Sequence, residues 1–277
     1  MRLLKTISIL AAILSMVAFG CSNKNTEVDY NPNVLSSKDY IFSEDVFMEV
    51  FNTYFKSINN SEVLAGENGW IDHATVDYSS VDNTMLFNYG EVNRGCPDGK
   101  FRRGHYEAVF NGPVNEEGTE ATISFHDFYV NDDKVTGNVT SRFLGNESGS
   151  WLYSYIVSGG LIEKYDTIDT VRIRYSCDFE MSWDEGSETP DDPVDDIVSI
   201  TGISGGVSAE NVNFSASVAV PLMNHIDCFY LASGIHEITV PSAPVSTGTI
   251  DYIIEDDCGR LVNFYFDENR FFDQLYP

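Results

Sequence analysis

The chain has 277 residues and sets 16 Lys+Arg against 43 Asp+Glu, a formal charge of −27. That balance excludes nucleic acid as a partner and disfavours anionic lipid headgroups, because no basic surface is left to neutralise phosphates. The length allows one large β domain or two of ordinary size, each with a substantial core.

Arg2 and Lys5 precede an apolar run from Ile7 to Phe19, the charged and hydrophobic regions of a secretion signal. The run is too short to span a bilayer comfortably. Ala18-Phe19-Gly20-Cys21 supplies small residues at −3 and −1 and a cysteine at +1, which resembles a bacterial lipobox. Residues 1–20 are therefore read as a lipoprotein signal peptide and Cys21 as the lipidated residue. An ordinary secreted chain, with Cys21 near the cut by coincidence, is the alternative. Several acyl chains would hold firmly, since each buried CH₂ adds about 0.8 kcal/mol and one chain alone is marginal. Residues 21–39, opening Cys21-Ser22-Asn23-Lys24-Asn25, read as a flexible polar tether. Cleavage leaves 257 residues and, with Arg2 and Lys5 gone, a formal charge of −29. The expected location is the outer membrane, reached through the lipid, with the periplasmic and external sides both open.

The region 40–183 is expected to hold one helix and a first β region. Phe42, Val46, Phe47, Val50, Phe51, Tyr54, Phe55 and Ile58 recur every three or four residues, which makes a broad apolar stripe. Ser43 is the expected N-cap, with Glu44 and Asp45 at the positive end of the helix. Asn59, Asn60, Ser61 and Gly66 end it. The apolar stripe should pack on a sheet. A membrane-surface helix fits less well, because Lys56 is the only base it carries.

After the helix the period falls from about 3.6 to 2. Strands are expected at 84–88, 105–110, 121–130, 134–143, 151–158, 170–183, 197–201, 212–220, 228–240, 248–254 and 261–266. Val171, Ile173 and Tyr175 alternate with Arg172 and Arg174, as in a sheet with one wet face. Asn131-Asp132-Asp133 and Asp98-Gly99 are turn signals. The fold class is mainly β: an antiparallel meander or sandwich-like pair of sheets, with one N-terminal amphipathic helix packed on it. Residues 184–196 carry seven carboxylates and two prolines and read as an acidic linker or surface crossing. Residues 197–277 form a second β region, separate from the first or continuous with it.

Within that acidic stretch Asp191, Asp192, Asp195 and Asp196 are candidate calcium ligands, although their spacing is not that of an EF-hand loop. No other cofactor is expected. Cys96, Cys177, Cys228 and Cys258 permit two disulfides or remain buried thiols, and Cys228 with Cys258 is the first pairing to test. Phe87–Lys100 and Thr249–Arg260 each run from an apolar-polar-Tyr strand end to a cysteine and a glycine turn, like a degenerate internal repeat.

No catalytic constellation is visible. His73, His105, His126, His225 and His236 form no HxH or HExxH phrase, and neither a G-x-S-x-G elbow nor a P-loop occurs. His105 and His126 are placed to meet across a sheet, and Arg102, Arg103 and His105 form a small cationic cluster. Trp151, Tyr153 and Tyr155 share one strand face. Exposed, they are candidate sugar contacts; buried, they are core.

Tyr89-Gly90, Cys96-Pro97-Asp98-Gly99-Lys100, Arg102 and Gly104, with Pro221-Leu222, Cys228, Ser233-Gly234 and Gly248 to Tyr252, resemble a group of uncharacterised Bacteroides-type (Bacteroidota) lipoproteins. The likeness covers nearly all of the mature chain, although Ile253 stands where the repeat would want glycine. More distantly the chain is similar to the fimbrial lipoproteins of these bacteria. The resemblance implies a fold and no activity. The expectation is a non-catalytic, lipid-anchored binding or structural module whose partner is a glycan or an envelope protein. A carbohydrate-binding lipoprotein of a glycan-uptake system, a fimbria-like assembly or adhesion protein and an unrecognised hydrolase are the alternatives.

Overall fold

The computed structural model describes residues 32–165, 170–243, 245–253, 258, 261–267 and 269–274, the last segment by its backbone alone. Cys21 and the signal lie outside the described residues. The helix α1 spans Pro32–Ile58 and a single turn, α2, spans Ser61–Leu64. Then come β1 (Gly69–Ile71), β2 (Ala74–Ser79), β3 (Thr84–Gly95), β4 (Phe101–Phe110), β5 (Glu120–Val130), β6 (Asp133–Glu147) and β7 (Ser150–Tyr165). The series continues with β8 (Thr170–Glu185), β9 (Ile197–Val207), β10 (Asn213–His225), β11 (Ser233–Thr239), β12 (Thr247–Ile253), β13 (Leu261–Phe266) and β14 (Asn269–Gln274).

All fourteen strands form one antiparallel sheet in which every strand pairs with its neighbours in sequence. The sandwich-like alternative is thereby replaced by a single meander. Short turns make this topology cheap to close. Asn131 and Asp132 both take positive φ, 49° and 69°, the mirror-image turn whose twist suits a two-residue hairpin. The acidic segment does not interrupt the sheet, because β8 pairs with β9 from Arg174 opposite Val207 to Glu185 opposite Ile197. From Pro32 onward the chain is one compact unit.

The helix differs from expectation at its start. It begins at Pro32, not after Ser43, so residues 32–39 belong to the fold and not to the tether. Proline suits the first turn, where its missing N–H would have no partner anyway. Ser43 is not a cap; its hydroxyl donates to the carbonyl of Asp39 at 2.8 Å, inside the helix. The first turns lack an apolar stripe because loops between strands meet their polar groups. Asn33 donates to the Val245 carbonyl at 2.9 Å, and Asp39 accepts the Ala209 N–H at 2.8 Å.

The ten residues Val46–Phe55 are all buried. Ten consecutive helical positions cover every face, so the helix is enclosed and not simply laid on a sheet. Its partners lie all along the meander. Tyr54 stacks near Phe110 of β4, Phe47 near Phe125 of β5, and Phe55 against Tyr153 of β7 and Trp183 of β8. Glu44 reaches Tyr252 of β12. The sheet curls to admit these rings. At Gly160 a Cβ would lie 2.9 Å from the tip of Phe47, so only glycine leaves the ring its place. A phenylalanine buried as fully as Phe55 is worth about 3–5 kcal/mol against truncation to alanine. Among the described residues no helix is long and apolar enough to cross a membrane.

Candidate functional site: the charged seam over the helix

The Cys96–Arg102 phrase builds the seam. The Cys96 N–H donates to the Lys100 carbonyl at 2.8 Å and the Gly99 N–H to the Cys96 carbonyl at 3.0 Å. Gly99 takes φ +81°, which a side chain would resist. Asp98 accepts the Lys100 N–H at 3.1 Å, fixing its carboxylate inside the turn. Lys100 and Arg102 alternate inward from β4 and are 2% and 1% exposed.

Arg102 forks onto Asp98 at 2.9 and 2.7 Å and lies 3.7 Å from Glu49 of α1. Lys100 pairs with Asp98 at 3.2 Å and with Asp45 of α1. Three carboxylates thus face two cations. Burial opposes the charge on Asp98, but the Arg102 fork and Lys100 outweigh it and hold the carboxyl down to about 2. Glu49 is the poorly matched third partner. Burial raises it to about 7; Arg102 pulls the other way, and repulsion from Asp72 and Asp98 adds to the rise. Burial also raises Asp45 despite its lysine. From the far part of the sheet, Tyr230 of the β10–β11 loop donates to the Asp98 carbonyl at 3.4 Å, and Lys100 sits 5.2 Å from its ring centroid. The turn between β3 and β4 therefore meets the β10–β11 loop across the helix.

A second polar cluster lies one turn earlier on α1. Glu44 accepts from Tyr40 at 2.7 Å and from Tyr252, and its Oε1 is 2.9 Å from His236 Nε2. Tyr40 also lies 2.9 Å from Ser204 Oγ. Burial opposes ionisation of Glu44, but the His236 charge and the three hydrogen bonds hold it below the usual carboxylate range. Asn52 and Asn224 exchange amide hydrogen bonds, the shorter being 2.7 Å. Carboxylate, imidazole and phenols are the parts of acid–base chemistry, but here they are buried and paired with one another. Between α1 and the β10–β11 loop is a crevice floored by Glu44, Asp45 and Asn52 and roofed by Phe229, Tyr230 and Leu231. It has about 10 Å³ for water-sized occupants, about the room of one water.

The candidate sugar contacts divide. Tyr153 and Tyr155 are buried, Tyr155 donating to the Phe47 carbonyl at 2.6 Å, so they are core and not ligand contacts. Trp151 is half-buried and stacks on Phe143 at 5.2 Å. Alternation put the three on one face, and that face is the one turned toward the helix. The four candidate calcium ligands also go separate ways. Asp191 accepts the Ser61 N–H at 2.6 Å, Asp192 the Val194 N–H at 3.3 Å, Asp195 the Thr189 hydroxyl at 2.8 Å and Asp196 the Trp183 indole N–H at 3.0 Å. Among the described residues no group of three or more His, Cys, Asp or Glu is arranged to hold a metal.

Cys228 and Cys258 form a disulfide with Cα atoms 5.2 Å apart, and Cys96 and Cys177 are buried free thiols. His105 and His126 do meet, with ring centroids 5.0 Å apart. The cationic cluster separates: Arg102 points in, while Arg103 points out to Asn93, Asp132 and the ring of Tyr129. Sequence reading missed Tyr40, Glu44, Asp45, Glu49, Asn52 and His236 as a set. Their signal was a helix whose polar face is acidic, in a chain with bases at Lys100 and Arg102. No family model, curated protein or solved structure matches this chain.

Proposed function

We propose that this chain is a non-catalytic binding or structural module of the cell envelope, held to the outer membrane by lipid on Cys21. The observation that carries the non-catalytic part is the filled interior. The helix occupies the space inside the curled sheet, and its acids and bases are committed to one another with room for about one water. These groups are buried and paired with one another, so recognition falls to the outer face of a rigid antiparallel scaffold. The anchoring rests on the Cys21 signal in the sequence.

Two measurements test it. The full chain, expressed in a bacterium that processes lipoproteins and fed an alkyne fatty acid, should carry the label and sediment with membranes. Cys21→Ser should lose both properties; retention of both by the variant overturns the anchor. Purified chain is then incubated with glycan arrays and envelope polymers, with and without calcium. Saturable capture without product supports the module, and catalytic turnover of any glycan or peptide overturns it.

A further inference from the structure

The outer face of the first five strands carries a row of side chains that the buried seam does not use. Residues directly opposite in neighbouring strands share a face. The pairs Trp70–Thr75, Thr75–Asn88, Asn88–His105 and His105–His126 run unbroken from β1 to β5. Their sequence neighbours Ala74, Val76, Phe87, Tyr89 and Tyr106 are buried, so the row itself faces water. It is about 19 Å long, four strand spacings of about 4.8 Å.

Rings stand at both ends. Trp70 is 58% exposed, on the edge strand. The Arg94 guanidinium lies 4.8 Å from its ring centroid and donates to the His73 carbonyl at 3.0 Å, which fixes the pair. At the other end His105 and His126 lie nearly parallel, 17° between planes. Gly104 causes this. It takes φ +83°, a Cβ there would lie 1.9 Å from the Asp127 carbonyl oxygen, and the register shifts between Arg103 and His105. Between the rings the Thr75 hydroxyl donates to the Asn88 carbonyl at 3.1 Å and Asn88 Oδ1 accepts the Gly90 N–H at 2.8 Å, so the Thr75 oxygen offers an acceptor and the Asn88 amide nitrogen a donor.

We propose that this row binds an extended, electrically neutral saccharide chain, with Trp70 as the stacking platform and the His105–His126 pair as the second contact. This deepens the binding half of the function proposed above and rests on it. Rings with polar groups between them suit a pyranose chain, whose C–H faces lie on rings and whose hydroxyls take the hydrogen bonds. Strand spacing is close to the rise of one sugar in an extended polymer, so successive row positions meet successive units. Charge selects the neutral class. The chain carries −27; Arg103 is matched with Asp132 and Lys134 with Asp127, while Arg94 is held by the Trp70 ring and the His73 carbonyl. A polyanion would be repelled.

The test titrates the full chain in a calorimeter with maltohexaose, cellohexaose and mannohexaose, and with polygalacturonate as the anionic control. Tryptophan fluorescence is followed, and the sugars are chromatographed afterwards. At least one neutral hexasaccharide should bind. Trp70→Ala should weaken it at least tenfold, and His105→Ala and His126→Ala severalfold each, with circular dichroism unchanged because the side chains lie outside the core. Val194→Ala, exposed in the acidic segment, should bind as wild type. Binding of polygalacturonate alone, binding of nothing, or full affinity in Trp70→Ala overturns the saccharide row and leaves the module standing. A shortened sugar overturns the non-catalytic reading instead.

Discussion

Arg102→Met examines whether the seam is a fully dry ionic network. Methionine keeps the side-chain volume near the original and removes the charge. Asp98 loses its fork and Glu49 its nearest cation. Stranding a buried charge by removing one partner costs about 3–5 kcal/mol. A domain of this size shifts by about 2–4 °C per kcal/mol, so the melting temperature should fall by about 6–20 °C. The penalty should also depend on pH. Glu49, raised to about 7, is largely protonated at pH 6 and largely ionised at pH 9 in the wild type. Without Arg102 its ionisation becomes harder still, so the variant's deficit grows from pH 6 to pH 9. Urea unfolding followed by circular dichroism at both values measures it. Adding Glu49→Gln should remove the growth, leaving the pH-independent part due to Asp98. A deficit under about 1 kcal/mol at both pH values would mean water reaches the seam. An equally pH-dependent double variant would remove Glu49 from the account.

Asp196, raised to about 7 by burial with repulsion from Asp195, Asp192 and Asp227, costs stability as pH rises from about 4 through 7. Asp196→Asn keeps an acceptor for Trp183 and should melt higher than wild type at pH 8, by less at pH 5, and alike below pH 4. The carboxyl is buried, and the gain is on the order of a few kcal/mol. For Asp98, held at about 2, the sign is opposite: its stabilisation is complete above pH 4 and disappears toward pH 2. Acid unfolding should therefore steepen below pH 4, and Asp98→Asn should flatten that limb. Replacing Cys228 and Cys258 together by serine opens a closed loop with a sequence separation of 30. The unfolded chain regains about 3–4 kcal/mol of freedom, to be read as a lower urea midpoint that matches wild type under reductant.

The sheet was readable because its strands alternate strictly, as Ile173 and Tyr175 do with Arg172 and Arg174. β1 and β2 escaped notice: the three residues of β1 give no period, β2 has only six, and the Asp72-His73 turn joining them uses positive φ at two non-glycine residues. The helix start escaped because Ser36, Ser37 and Asn33 are buried polar residues with no stripe to follow. Alternation assigns residues to a common face but does not say which face is wet, and this left Tyr153 and Tyr155 open between core and sugar contact. Nor does a helical stripe reveal a sheet that returns to cover the other side. Asp45 read as a charge at the positive end of the helix and Glu49 drew no reading, because their partners, Lys100 and Arg102, are separated from them by some fifty positions. The resemblance singled out the Cys96–Arg102 phrase as a fold marker, and its residues lie where that turn meets the β10–β11 loop.

The enclosed helix has a mechanical consequence. It is the first element of the described fold, so a force applied at Pro32 is carried first by the central rod. Peeling one strand from a sheet breaks hydrogen bonds a few at a time. Drawing this rod out must shear Tyr40, Glu44, Asp45, Glu49 and Asn52 from their partners together, with the rings of Phe47, Phe51 and Phe55 dragged past the sheet. Resistance of that kind is concerted.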